Sequence, residues 1–213
     1  MKNLYIMSLI ALVVFLSACV SVERNEHELS TPEQVIQKLI QGNKEYMESE
    51  RNIANIPMKR RVDTAINGQT PYAVIITCSD SRVPPEHIFS AGIGDLFIIR
   101  TAGNVVDNFA LGSIEYGIAH LGAKVIMIMG HDQCGAVSAA LAGHIEGHIT
   151  NIVDEIKSGI AGAVNTVEAE RLNIAHTYNK IIESAIVKEL LDLNEITVLQ
   201  AKYELQTGNV TIF

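Results

Sequence analysis

Tryptophan is absent from the 213-residue chain, and all aromatic residues together make up 5% of it. Ile, Val, Leu and Ala must therefore fill the core. With 48% hydrophobic residues, the material for one sizeable globular domain is present. Positive charge is also scarce: 16 Lys and Arg stand against 24 Asp and Glu, a net charge of -8. That balance argues against a nucleic-acid partner, and Lys59-Arg60-Arg61, the only basic run, reads as a solvated loop. Cysteines number three, Cys19, Cys78 and Cys134. An odd count in a chain this long fits poorly with a disulfide framework. There is no internal repeat and no low-complexity segment.

The longest apolar run, Leu4 to Leu16, is broken only by Ser8. It is too short to span a bilayer comfortably, but it has the length of a signal-peptide core after the positive start at Lys2. It ends in Leu16-Ser17-Ala18-Cys19, which resembles a bacterial lipoprotein processing box. The expected organisation is a signal peptide over 1–18, a lipidated Cys19 opening a polar tether over 19–30, and a folded domain over 31–213. The alternative is an ordinary secretory signal cleaved near Ala18. Acyl chains on Cys19 would anchor the exported protein to a membrane surface in the periplasm. Val20, in place of Asp, favours the outer membrane over the inner.

Thr31-Pro32-Glu33-Gln34 is a helix start, with Thr31 as cap, Pro32 at the first turn and Gln34 closing a capping box. Val35, Ile36, Leu39 and Ile40 continue it as an apolar stripe, to about Glu50. Residues 51–69 read as looser chain, with a breaker at Pro57 and a turn at Asn67-Gly68. Short apolar runs follow at Ala73–Thr77, Leu96–Arg100 and Lys124–Met129, and a fourth opens at Ile196–Leu199. Continuous apolar runs suit parallel strands covered on both faces. Helical segments are expected at Asn104–Leu121 with Gly122 as cap, at Gly135–Ala142 and over Asn165–Leu193. Tyr203–Phe213 reads as a terminal hairpin turning at Thr207-Gly208-Asn209. The fold class is α/β: a mainly parallel central sheet, about four parallel strands plus a C-terminal antiparallel edge strand, flanked by helices.

Two stretches carry the chemistry. Cys78-Ser79-Asp80-Ser81-Arg82 follows the first strand, and His131-Asp132-Gln133-Cys134-Gly135 follows the third. In open α/β sheets ligands bind beyond the carboxyl ends of strands, so both stretches arrive at one edge. Two cysteines and one histidine there make three zinc ligands with one open position, the arrangement of a catalytic metal. A disulfide between Cys78 and Cys134 is the competing reading; the nearby His and the strand-end positions favour metal. A thiol redox role is disfavoured because no C-x-x-C pair is present. Ser79 and Ser81 have no base placed for them and read as turn residues. His144, His148 and His176 carry no site-like spacing.

Cys78-x-Asp80-x-Arg82 followed by His131-x-x-Cys134-Gly135 resembles the β-class carbonic anhydrases. Ser81-Arg82-Val83-Pro84, Gly94-Asp95, Arg100-x-Ala102-Gly103-Asn104 and Ser113-Ile114-Glu115-Tyr116 extend the likeness over about Thr31 to Phe213. The resemblance implies one zinc per chain on Cys78, His131 and Cys134, and reversible hydration of carbon dioxide to bicarbonate and a proton by zinc-bound hydroxide. It implies that Asp80 orients the hydroxide while Arg82 holds Asp80. Gln69, Phe97, Ala102, Tyr116 and Gly135 would line the substrate pocket, with Gln69 serving the neighbouring subunit's zinc. The building block would be a homodimer, or a tetramer made by doubling it. His120, four residues after Tyr116, and His87 are proton-shuttle candidates. Two alternatives are a related zinc hydrolase of carbon disulfide or carbonyl sulfide, and a non-catalytic zinc-binding lipoprotein. The absence of Trp, and of the bicarbonate pocket that accompanies a closed site in part of the family, leads to the expectation that Asp80 stays off the metal.

Overall fold

The computed structural model describes residues 29–49, 56–143 and 146–213. The signal segment, Cys19, most of the tether and His144 lie outside the described residues. Among the described residues, no helix is long and apolar enough to cross a membrane.

Helix α1 (Pro32–Glu48) begins as its sequence demands. Thr31 accepts from the Gln34 backbone N–H, and the Gln34 side chain reaches back to the Thr31 backbone, closing the capping box. The next segment departs from expectation, because Met58–Asn67 is a second helix, α2, not loose chain. Pro57 precedes it as N-cap rather than breaking it, and Gly68, at φ 81°, ends it in the left-handed region. None of the α2 residues is buried.

Five strands form one sheet: β1 (Ala73–Cys78), β2 (Leu96–Thr101), β3 (Val125–His131), β4 (Thr197–Tyr203) and β5 (Val210–Ile212). Their order is β2-β1-β3-β4-β5. The first four are parallel and β5 joins β4 antiparallel, as the α/β reading expected. The terminal hairpin exists, but its first arm is β4 itself, so the turn region begins only after Tyr203.

Every residue of β1 and β3 is buried. The pleat sends Ala73, Ile75, Val125 and Met127 to one face, where they meet Val35 and Leu39 of α1 and Ile88 of the short α3 (Pro85–Ile88). Val74, Ile76, Ile126 and Ile128 face the other side. There they meet α4 (Asn108–Ala119), α7 (Thr166–Ile182) and α8 (Ala185–Asp192). Both faces being dry explains why the strand sequences show no polar alternation.

Two helical expectations need correction. The segment from Asn104 is delayed: a 3-10 turn spans Ala102–Asn104, and α4 starts only after the Asp107 cap, whose side chain accepts from the Ala110 N–H. The long periodic run Asn165–Leu193 is two helices, because Ser184 leaves helical geometry and caps α8 through the Val187 N–H. Helix α5 (Gly135–Ala142) has the expected bounds, and α6 (Ile149–Gly159) lies beyond the segments the periodicity marked. Helices α5 and α6, with Ala169 of α7, cover a third apolar cluster that contains Cys78 and Cys134.

Candidate metal centre

The chain leaves β1 for β2 on one side and returns across β1 to β3 on the other. A reversal of that kind opens a crevice at the carboxyl ends of the two central strands. Cys78 ends β1 and His131 ends β3. Cys134 follows at the N-cap of α5. The ligand atoms of these three side chains lie within 4.8 Å of one another, and all three residues are buried.

The donor set fits a metal ion. His131 Nδ1 lies 2.8 Å from the Asp132 carbonyl oxygen, which can only accept. The ring therefore donates from Nδ1 and presents a lone pair at Nε2, which is buried without a hydrogen-bond partner. The thiols behave as a pair that shares one proton. Cys78 is pushed down to about 4, first by the hydrogen bond from Cys134 and then by His131 and backbone N–H groups, against the opposing effect of burial. Cys134 is pushed up by the Cys78 thiolate and by burial. For His131, burial works to lower the pKa, but the adjacent Cys78 thiolate outweighs it and the net shift is upward. Protons thus occupy, in the metal-free chain, a buried space that two thiolates and a neutral imidazole would offer to a dication.

Asp80 and Arg82 stand at the mouth of the cluster. Arg82 forks onto the carboxylate, Nε to Oδ1 at 2.9 Å and Nη2 to Oδ2 at 2.7 Å, and its backbone N–H adds a bond to Oδ1 at 2.9 Å. These bonds hold the Asp80 carboxyl well below the usual carboxylate range. Asp80 Oδ2 lies 3.9 Å from His131 Nε2.

The other residues marked from sequence are dispersed. Gln69 and Tyr116 line a broad open groove of about 740 Å³, together with Thr64, Gly68, Gly94 and Leu121. None of the three ligands lines that groove. Phe97 packs against Tyr116, their ring centroids 6.1 Å apart, and His120 stacks on the same tyrosine at 5.5 Å. Ala102 is half-buried in the 3-10 turn, and His87 is exposed on α3. Gly135, exposed, opens α5, and a Cβ there would meet nothing within 4 Å.

Several supporting residues escaped the sequence reading. Arg100 spans the first ligand stretch, with Nε donating to the Cys78 carbonyl at 3.0 Å and Nη2 to the Asp80 carbonyl at 2.6 Å. The Gly103 N–H donates to Cys78 Sγ at 3.3 Å, and the Cys134 N–H donates to Glu170 Oε1, also at 3.3 Å. Arg100 and Gly103 lie in a motif visible in the sequence, but nothing in the letters assigns them these bonds. Glu170 sits 36 residues from Cys134, with no local signal at all.

Comparison with known proteins agrees with this geometry. The carbonic anhydrase family profile matches residues 73–210. "Carbonic anhydrase 2" of Mycobacterium tuberculosis is 35% identical over 156 residues, which covers 68% of this chain and 75% of that one. The carbonic anhydrase of Mycolicibacterium smegmatis is 36% identical over 155 residues with the same coverage. Among solved structures, the β-carbonic anhydrase CafA of Aspergillus fumigatus superposes with a TM-score of 0.67 at 25% identity, over 73% of this chain and 81% of that one. A tetrameric β-carbonic anhydrase from Sordaria macrospora gives 0.67 at 24% identity, covering 73% and 87%. With a metal-ligand cluster at the switch point of a matching fold, and a family profile over most of the domain, this chain belongs to the β-class carbonic anhydrases.

Proposed function

We propose that the enzyme catalyses the reversible hydration of carbon dioxide to bicarbonate and a proton. The observation that carries this reading is the bidentate Asp80–Arg82 pair at the open side of a buried three-ligand cluster. A structural metal site would need neither charge and would supply a fourth ligand. Zinc bound by Cys78, His131 and Cys134 supplies Lewis acidity that brings the pKa of water down to about 7 in favourable sites. Two thiolates neutralise the dication, so the surrounding residues must do more than they would in an all-imidazole site. Asp80, held ionised by Arg82, would offer Oδ2 as the acceptor that orients the O–H of the attacking oxygen nucleophile toward carbon dioxide. Arg100 fixes the backbone on both sides of Ser79, so Cys78 and Asp80 keep their spacing. Held by Arg82, Asp80 would leave a metal on these three ligands accessible to reactants.

The active unit is a homodimer. Gln69 lies on a groove that none of its own chain's ligands line, as expected if it serves a neighbouring subunit. Met58, Val62 and Ile66 of α2 are 70%, 51% and 76% exposed at helical spacing, an apolar stripe suited to a second copy. Protons leave through His120, which stacks on the groove-lining Tyr116, in preference to His87 on α3. Residues 1–18 direct export, and lipidation at Cys19 tethers the domain to the periplasmic side of the outer membrane. Loss of lipid labelling in a Cys19→Ser chain checks that part.

Zinc analysis combined with a carbon dioxide hydration assay tests the main reading. One zinc per chain and a rate that rises with pH are expected. Arg82→Leu should retain zinc and lose about 10- to 100-fold in kcat/KM, the usual cost of losing a partner that orients a metal site. Full zinc occupancy without hydration, or with hydrolysis of carbonyl sulfide or carbon disulfide alone, would refute it.

A further inference from the structure

Helix α7 carries three buried polar side chains among apolar neighbours. Glu170, Asn173 and Thr177 are 3%, 1% and 1% exposed. Spacings of three and four place them on one helix face. Ala169, Ile174 and Ile181 of the same helix are fully buried in apolar clusters. A polar stripe in that setting costs desolvation free energy unless each group is paired.

Each of the three side chains bonds the backbone of a loop at the metal centre, although Asn173 Oδ1 stays buried without a hydrogen-bond partner. Glu170 Oε1 accepts the Cys134 N–H at 3.3 Å, while Lys202 Nζ lies 2.7 Å from Oε2. Asn173 Nδ2 donates to the Gly103 carbonyl at 2.8 Å, and Thr177 Oγ1 donates to the Asn104 carbonyl at 3.1 Å. Gly103, gripped at its carbonyl, turns its own N–H onto Cys78 Sγ. One helix therefore supports both ligand cysteines, Cys78 at the end of β1 and Cys134 at the start of α5.

These loops need outside support. Gly103, Asn104 and Gln133 have φ of +66°, +49° and +56°, all in the left-handed region. Two of the three are not glycine, and such conformations persist where the surroundings over-determine them.

We propose that Glu170 and Asn173 are positioning residues of the metal centre, setting the donor atoms of Cys134 and Cys78 from a single rigid helix. The proposal rests on the zinc reading above. Its chemical consequence lies at Cys78. An N–H bond to a thiolate sulfur withdraws electron density from it, so the metal keeps more Lewis acidity than two bare thiolates would leave. Glu170 acts differently: it fixes the backbone at the N-terminus of α5, where Cys134 must meet the other two ligands.

Zinc affinity, measured by chelator competition on the full chain, and the thiolate bands of the cobalt-substituted protein test this directly. Asn173→Leu should weaken zinc binding by about 10- to 100-fold and shift the cobalt bands. Glu170→Leu should weaken binding similarly, and Glu170→Gln, which keeps an acceptor oxygen, should recover much of the loss. Thr177→Val, whose bond reaches Asn104 and no ligand directly, should lower the melting temperature and weaken zinc binding clearly less than Asn173→Leu does. If Asn173→Leu yields no folded protein, Asn173→Ser shortens the donor out of reach and reads the same quantities. Zinc affinity within about twofold of the parent in folded Asn173 and Glu170 variants, or an equal loss in Thr177→Val, would overturn the inference while leaving the proposed function intact. A parent chain that takes up no zinc would overturn both.

Discussion

Replacing Gly103 with alanine adds one methyl group at a point where the structure leaves no room for it. The new Cβ would lie 2.6 Å from Ile156 Cδ1 and 3.1 Å from Ala136 Cβ. Ile156 is fully buried, so its side chain has little freedom to withdraw. Overpacking of this kind costs about 1–3 kcal/mol. Gly103 also has φ +66°, and an L-residue in the left-handed region costs a further 1–2 kcal/mol or so. The expected destabilisation is about 2–5 kcal/mol, or roughly 4–20 °C of melting temperature for a domain of this size. Thermal unfolding followed by circular dichroism reads it. A second substitution isolates the steric part: Ile156→Val removes the atom 2.6 Å away, so the double variant should be less destabilised than the two single variants summed. Because the Gly103 N–H bonds Cys78 Sγ, zinc affinity should fall in the same variant. A G103A chain melting within about 1 °C of the parent, or strict additivity with Ile156→Val, would refute the packing argument.

Glu155 offers a pH-dependent test away from the metal. Burial acts to raise its pKa, but hydrogen bonds from Lys180 at 2.6 Å and His176 at 3.0 Å outweigh it, and the net shift is below the ordinary 4.5. A carboxylate depressed on folding contributes stability that is present above its unfolded pKa and lost as pH falls through the folded value. The melting-temperature difference between the parent and Glu155→Gln should therefore be constant from neutral pH to about 5 and shrink below that; a difference that grows on acidification would reverse the sign and sink the argument. Removal of zinc should leave one thiolate at neutral pH, visible by its ultraviolet absorbance and lost as pH falls through about 4. Two thiols that ionise only near their ordinary value, about 8.5, would contradict that. Mixing Gln69→Ala chains with Cys78→Ser chains, each inactive alone, should restore about a quarter of parental activity, because each heterodimer then holds one complete site. No recovery after verified subunit exchange would place Gln69 outside the partner's site.

Much of the sheet was legible in the letters because burial on both faces leaves a signature that context cannot disguise. Ala73–Thr77 and Lys124–Met129 could hardly be anything but central strands, and the capping box at Thr31 marked the start of α1 to the residue. Helix α2 was not legible, because Pro57 reads as a breaker when its role as a cap depends on where the chain turns. The break at Ser184 hid inside a continuous helical period for a similar reason: a serine caps only if the backbone bends there. By itself, the sequence determined the donor types and their strand-end positions, since Cys78, His131 and Cys134 sit within local patterns. Only the tertiary structure decided how those donors are held. Strand order brings β1 beside β3, and Glu170 and Asn173 reach the loops from α7, 36 and 70 residues away in sequence. Hydrogen bonds across such separations have no period and no local partner. They exist only once packing has placed one helix against two strand ends.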